Sequence, residues 1–314
     1  MGRRTEHFDG RRFFNPSGPP LQPLSAVPRL LLSMRRTPWP ARLEQLRVTA
    51  PATHSTDVVV TFIGHATFLI QTSAGNLITD PMYANRAGPW GLFGPRRVRQ
   101  PAIAFEDLPP ISVVLLSHNH YDHCDLRALR ALTRRFDPIV ITPLGNGRLL
   151  RKAGVRRLEE MDWWQSAASS PIDVTITPAH HFSARTPFDR NRALWGGFLI
   201  NVADRRIYFA GDTAYAPIFA EIRQRLGPPD LSLLPIGAYE PRWFMRSVHM
   251  NPAEAVQAHV ELESRESIGM HFGTFPLTEE GIDEPLLALE RARAHHAIPE
   301  TAFRALDIGQ SARW

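Results

Sequence analysis

Apolar positions fall first into short runs separated by turn residues. Residues 57–63 and 67–72 are rich in Val, Ile, Phe and Thr on either side of Gly64-His65-Ala66, and residues 77–79 follow Ala74-Gly75-Asn76. That pattern predicts a meander of three strands ending at Asp80-Pro81. From residue 111 the period changes. Strand-like runs at 111–116, 138–142, 174–177, 195–202, 206–210, 231–235 and 267–270 are interleaved with helix-like stretches at 126–134, 146–153, 215–226 and 284–295. Ala203-Asp204 reads as a tight turn and 237–248 as a loop. Asn251-Pro252-Ala253-Glu254 opens a further helix, with Asn as cap, Pro at the first helical position and Glu at the third. A meander followed by strand–helix alternation indicates α/β layers rather than a helix bundle.

Two segments break the pattern. Residues 1–50 hold seven prolines and few periodic apolar positions, so an irregular arm is expected, with one helical turn near 41–46. The domain proper is expected over 51–314. Residues 84–101 form a Gly/Pro-rich loop with Trp90, Phe93, Arg96, Arg97 and Arg99. Its aromatic and arginine content suits a phosphate-bearing amphiphile, and a plain surface loop equally well.

Charge sharpens the contrast between arm and domain. Nine arginines and three acids give residues 1–50 a net +6, whereas the other 27 bases and 28 acids give the rest −1. A basic groove spread over the domain is therefore not expected, which argues against a nucleic-acid partner. The arm, with Phe13, Phe14, Leu30, Leu31, Leu32 and Trp39, suits either an anionic membrane surface or packing along the domain with solvated arginines. One cysteine, Cys124, rules out an intramolecular disulfide and fits a reducing compartment. No apolar run approaches the roughly 20 residues of a membrane-spanning helix, and no secretory pattern opens the chain. The expected location is cytoplasmic, with peripheral contact to the inner membrane face left open.

The densest chemistry lies at 117–124. Ser117-His118-Asn119-His120-Tyr121-Asp122-His123-Cys124 follows a buried-looking strand and precedes a helix. Alternate side chains of extended backbone share a face, so His118 and His120 can converge on one ion, and Asp122 and His123 can turn toward a second. Imidazole with carboxylate suits zinc and related divalent ions.

His118-x-His120-x-Asp122-His123, with His181, with Asp212 in Gly211-Asp212-Thr213, and with His271, resembles the dinuclear ligand set of the metallo-β-lactamase superfamily. Further stretches resemble, more narrowly, the N-acylphosphatidylethanolamine-hydrolysing phospholipase D family. They are Val-Thr-Phe-Ile-Gly-His-Ala-Thr at 60–67, Asp-Trp-Trp at 162–164, Phe-Ala-Gly-Asp-Thr at 209–213, Pro-Ile-Gly-Ala-Tyr-Glu-Pro-Arg-Trp-Phe-Met at 235–245 and His-Phe-Gly-Thr-Phe at 271–275. The resemblance implies an αββα sandwich of two mixed sheets flanked by helices. It implies His118, His120 and His181 on a first metal, Asp122, His123 and His271 on a second, and Asp212 bridging. Two zinc ions are implied; iron and manganese suit the same donors. Spacing leaves His180 and His181 equivalent, and the family pattern Thr-Pro-x-x-His, met at 177–181, places the ligand at His181 with His180 beside it.

The remaining roles are weaker readings. Asp80 reads as an acceptor orienting a ligand imidazole, or as a turn cap before Pro81. Asp122, Asp212 and His249 are the expected catalytic residues, with His249 assisting protonation of the leaving group. Trp90, Tyr239, Arg242, Trp243 and Phe244 are expected to line the substrate pocket, although packing explains the aromatics nearly as well. His65 belongs either to the pocket or to the core, where it would hydrogen-bond and which is preferred, and Cys124 has no assigned role.

The implied activity is a phosphodiesterase cleaving N-acylphosphatidylethanolamine-like phospholipids to N-acylethanolamine and phosphatidic acid, by attack of an activated water on phosphorus. The donors do not encode the substrate, so a lactonase acting on a sugar phosphate, or another phosphodiesterase, is the alternative. A redox di-iron protein is disfavoured, because such relatives usually carry a carboxylate where His120 stands. A homodimer is compatible with all of these expectations.

Overall fold

A computed structural model describes residues 4–44, 46–48, 51–167, 172–202 and 204–314. The first half of the chain contributes six strands: β1 (Val59–Gly64), β2 (Thr67–Thr72), β3 (Gly75–Thr79), β4 (Val113–Leu115), β5 (Ile139–Pro143) and β6 (Leu158–Met161). The second contributes β7 (Asp173–Thr177), β8 (Gly197–Val202), β9 (Arg205–Phe209), β10 (Leu231–Pro235), β11 (Glu266–Met270) and β12 (Phe303–Ala305). The last strand, β13 (Ser311–Arg313), returns to pair antiparallel with β1. Two mixed sheets result, ordered β13-β1-β2-β3-β4-β5-β6 and β12-β11-β10-β9-β8-β7.

The helices are α1 (Val27–Ser33), α2 (Leu126–Phe136), α3 (Gly147–Lys152), α4 (Ile218–Leu226), α5 (Arg242–Met245), α6 (Pro252–Glu261) and α7 (Glu284–His295). Strand periodicity sorts the first sheet's side chains into two layers. Val60, Phe62, Phe68, Ile70, Leu77, Val113 and Leu115 join Ile176, Phe198, Ile200 and Phe209 of the other sheet in one core. Their strand neighbours Ile63, Leu69, Ile78, Val114 and Val140 instead meet Leu129 and Leu132 of α2 and Leu150 of α3. Phe219 of α4, Val256 of α6 and Leu289 of α7 pack against the second sheet. The order is helix, sheet, sheet, helix, the expected αββα sandwich.

Local chemistry fixes the helices that flank the cleft. Leu126, Leu129 and Leu132 give α2 one apolar stripe, and burying Leu129 and Leu132 contributes roughly 1.5–3 kcal/mol each. Asp125 caps its start by accepting from the Arg127 and Ala128 amides at 2.9 and 3.2 Å, and left-handed Asp137 ends it. α6 carries the full capping box read from the sequence, Asn251 with Glu254.

Some expectations need correction. In the arm the helix lies at α1, started by Pro28, while residues 41–44 and 46 are irregular and residue 45 falls outside the described residues. β6, β12 and β13 carry no strand-like pattern, being only three or four residues long; the sheets recruit them by pairing. The loop 237–248 contains α5. The turn at Ala203-Asp204 includes Ala203, outside the described residues.

The arm runs against the domain. The Phe13 amide donates to Asn191 O (2.8 Å), Trp39 Nε1 to Glu280 O (2.9 Å), and the amides of Leu43 and Val48 to Val98 O and Ala102 O (2.8 and 2.9 Å).

Candidate metal centre

The donors lie on loops that leave strand ends, His249 the furthest along from its strand. Asp80 follows β3, residues 117–123 follow β4, His181 lies beyond β7, Asp212 beyond β9, His249 beyond β10, and His271 directly after β11. Strand ends hold a side chain rigidly while leaving its tip outside the ladder. The two halves meet closely here: Gly211 has φ +61, and a Cβ on it would lie 2.8 Å from the Ser117 Cβ. Asp80, His65 and His271 also have positive φ (32°, 59° and 63°). Each such residue costs about 1–3 kcal/mol, a strain that clusters at functional sites.

Two groups of donor atoms result. His118, His120, His181 and Asp212 form one, and His65, Asp122, His123 and His271 the other. In the first, His120 Nδ1 lies 2.9 Å from His118 Nε2 and 3.2 Å from His181 Nε2. Asp212 Oδ2 lies 3.8 and 3.7 Å from those two Nε2 atoms. In the second, Asp122 Oδ2 lies 3.4 Å from His271 Nε2 and 3.5 Å from His123 Nε2. Asp212 reaches this group too, with Oδ2 3.2 Å from His123 Nε2 and Oδ1 3.2 Å from His271 Nε2.

The other ring nitrogens of His118, His123 and His181 are engaged, which fixes their tautomers. His123 Nδ1 donates to Asp80 Oδ2 (2.7 Å), and His181 Nδ1 donates to Val248 O (2.8 Å). Ser117 Oγ donates to Asp80 Oδ2 (2.6 Å) and accepts from His118 Nδ1 (2.9 Å). Asp80 thus orients His123 directly and His118 through Ser117, and all three rings present Nε2 to the cluster.

The donor set fits divalent metal. Lone-pair nitrogens converge in the first group at separations close to the roughly 3.3 Å expected between imidazoles on one tetrahedral zinc. His123 Nε2, His271 Nε2 and Asp212 Oδ1 are buried without a hydrogen-bond partner among the described residues. Unpaired buried polar atoms are costly unless something ligates them. Charge points the same way. Burial, then the charges of neighbouring histidines, pushes His118 well below the ordinary imidazole range, and burial takes His120 down to about 3 and His181 to about 4. Burial opposes protonation of His123 and His271 too, but nearby carboxylates, Asp212 foremost, outweigh it. His123 is raised well above its usual range and His271 to about 9.

Further residues reach the donors or the segments that carry them. His65, expected in the core, places Nε2 3.0 Å from Asp122 Oδ2 and its ring 4.0 Å from that of His271. Its position on a strand-to-strand turn gave no sign of that target. Phe182 packs edge-on to His120 at 4.5 Å. Asn15 of the arm donates to His181 O (2.9 Å), and His180 Nε2 meets Pro19 O at 2.8 Å, so His180 anchors the arm.

The expected pocket residues divide. Trp90 is exposed and lines a different cleft, at the start of α2, that none of the metal donors line. Arg242 Nη2 reaches both Glu254 oxygens at 2.8 Å, while Nη1 donates to His249 O (3.0 Å). This guanidinium is taken up in holding the His249 loop and is not free for substrate. Tyr239 lines a hollow shared with α6 and α7, away from the donors, because Glu280 accepts from its amide there. Trp243 packs under the Arg29 guanidinium (4.6 Å) and against Phe244 (5.5 Å). In the loop 84–101, buried Arg97 donates to the carbonyls of Met82 and Ala84, and Arg99 to that of Gly273, so both close the loop.

Comparison with known proteins agrees with this geometry. The beta-lactamase superfamily domain family matches residues 75–272. A metallo hydrolase from Ignicoccus hospitalis superposes with TM-score 0.62 at 21% identity, over 82% of this chain and 99% of that one, a likeness of fold. A metal-dependent hydrolase of Solibacter usitatus is 30% identical over 81% of this chain and 99% of its own length. The class is therefore that of the metal-dependent hydrolases. The N-acyl-phosphatidylethanolamine-hydrolyzing phospholipase D 1 of Caenorhabditis elegans is 38% identical over 277 residues, 84% of this chain and 78% of that enzyme. The chain belongs to the β-lactamase superfamily and, within it, to the family of these phospholipases D.

Proposed function

We propose that the protein is a two-zinc phosphodiesterase of the phospholipase D type, releasing N-acylethanolamine and phosphatidic acid from N-acylphosphatidylethanolamine-like lipids. The observation that carries the reading is the pair of donor groups sharing Asp212. The 38% identity with the nematode enzyme supports the substrate class. His118, His120 and His181 would hold one ion, Asp122, His123 and His271 the other, and Asp212 both. A divalent pair supplies a water of lowered pKa and Lewis acidity toward a phosphoryl oxygen.

The chain's own groups do the rest. Asp80 and Ser117 hold the imidazoles in register. Asp122 is fixed by His65. His249 Nε2 lies 4.0 Å from Asp212 Oδ2. Burial pushes His249 well below the ordinary imidazole range, so it serves as a neutral N–H donor to the leaving oxygen and not as an imidazolium. Exposed Leu31 and Leu32 of α1 support contact with a lipid surface, and no described helix is long and apolar enough to cross a membrane.

The test is hydrolysis of N-acylphosphatidylethanolamine by zinc-loaded and chelator-stripped protein, with products identified by mass. Metal-dependent release of both products is expected. Metal-dependent cleavage of a small lactone, with the lipid untouched, would keep the site and refute the substrate.

A further inference from the structure

The outer side of the metal-bearing loop carries a second feature that the reading above does not use. At the start of α2 a cleft of about 350 Å³ is lined by Arg86, Trp90, Tyr121, Arg127, Arg130 and Arg185. None of these four guanidiniums has a carboxylate within ion-pair distance among the described residues. The acidic residue in the lining, Asp125, is already committed. Its oxygens accept from the amides of Tyr83, Ala84, Arg127 and Ala128. Arg134 continues the row along the same helix. The near-neutral balance of the domain conceals this local concentration of positive charge.

Three of the guanidiniums are held in place. Arg86 Nη1 donates to Gly94 O (2.8 Å) and Arg130 Nε to Ala153 O (2.9 Å). Arg185 Nη1 donates to Asn119 O and Cys124 O (2.9 and 3.0 Å), with its guanidinium 4.0 Å above the Tyr121 ring. Anchored through one nitrogen, each loses little further freedom on meeting a ligand with the others. Planar guanidinium forks match the oxygens of phosphate. Trp90 of the lining and Leu92 and Phe93, which follow it in the chain, are 70%, 61% and 59% exposed, with the Phe93 ring 6.2 Å from that of Trp90, so large apolar surface adjoins the positive charge. That combination suits an amphiphile with an anionic head.

We propose that this cleft seats the phosphate monoester headgroup of an anionic lipid, at a site separate from the metal cluster and independent of what that cluster hydrolyses. The test is co-sedimentation of the zinc-loaded protein with phosphatidylcholine vesicles containing either phosphatidic acid or, at matched surface charge, phosphatidylserine. Tighter binding to phosphatidic acid is expected. Arg127→Ala/Arg130→Ala, at two exposed positions, should weaken that binding about thirtyfold, from a contribution of about 1 kcal/mol per arginine near an anionic surface. Arg127→Lys/Arg130→Lys should keep the general attraction and lose the preference between the lipids, with bound zinc unchanged in both variants. Equal binding to the two lipids by the unaltered protein, or an unaffected Ala variant, overturns the proposal. Arginine-dependent binding of soluble glycerol 3-phosphate without vesicle binding overturns the lipid source.

Discussion

The two halves of the chain pair their strands identically and use the strand ends differently. β1–β6 and β7–β12 each run antiparallel, antiparallel, then parallel three times from first strand to sixth. The first half delivers most of its donors in one burst after its fourth strand. The second delivers His181, Asp212, His249 and His271 singly, after four different strands. The third strand of each half leads to an aspartate, Asp80 or Asp212. Asp80 accepts three hydrogen bonds, from the Ser117 amide, Ser117 Oγ and His123 Nδ1. Asp212 Oδ1 accepts none among the described residues. The same place in the topology yields an orienting carboxylate where local donors saturate it and a ligating one where they do not.

Asp212→Asn tests that contrast most severely. It removes the charge shared by the two donor groups, so at least one ion should be lost. Turnover should fall on the order of 10³-fold or more, the several kcal/mol that metal charge stabilisation supplies. Elemental analysis and hydrolysis assays read the two effects. Full metal content with near-normal turnover would contradict the assignment.

Asp80→Asn should cost less. It weakens the hold on His123 and, through Ser117, on His118, without removing a ligand. Loss of an orienting partner typically costs about 10–100-fold in metal affinity or activity. Zinc titration against a competing chelator measures it. A loss as large as that of Asp212→Asn would mean that Asp80 ligates metal itself, and the difference between the halves would disappear.

The same asymmetry explains what the sequence disclosed. His118, His120, Asp122 and His123 are legible because one strand end carries them together, where two-residue alternation fixes their facing. Asp212 and His271 stand alone in sequence. Resemblance to a family pointed to them, and the folded sheets bring them to the cluster. Most strands and helices were readable because their apolar periods were regular. β6, β12 and β13 were not, because edge pairing and not their own residues makes them strands. His65 could not be decided between pocket and core for a related reason: its partner Asp122 is 57 residues away, and nothing near position 65 announces a carboxylate. Arg242 shows the opposite case. An arginine in a loop of aromatics reads as a substrate contact, and its engagement by Glu254 depends on how α6 packs.

That engagement gives the smallest effect and the finest test of the second half's dispersed design. His249 reaches the cluster from a loop, and Arg242 ties that loop by gripping Glu254 with one nitrogen and His249 O with another. Lysine keeps the charge but lacks the fork, so Arg242→Lys can satisfy one partner and not both. Metal content should be unchanged, because no ligand bond is touched. The expected outcome is a fall in kcat of about tenfold, the lower end for a lost orienting contact, with KM little altered. Glu254→Gln should reproduce the kcat loss with stability little changed, since glutamine can still complete the α6 capping box. If Arg242→Lys raised KM and left kcat alone, the guanidinium would be meeting substrate after all, and His249 would hold its place without it.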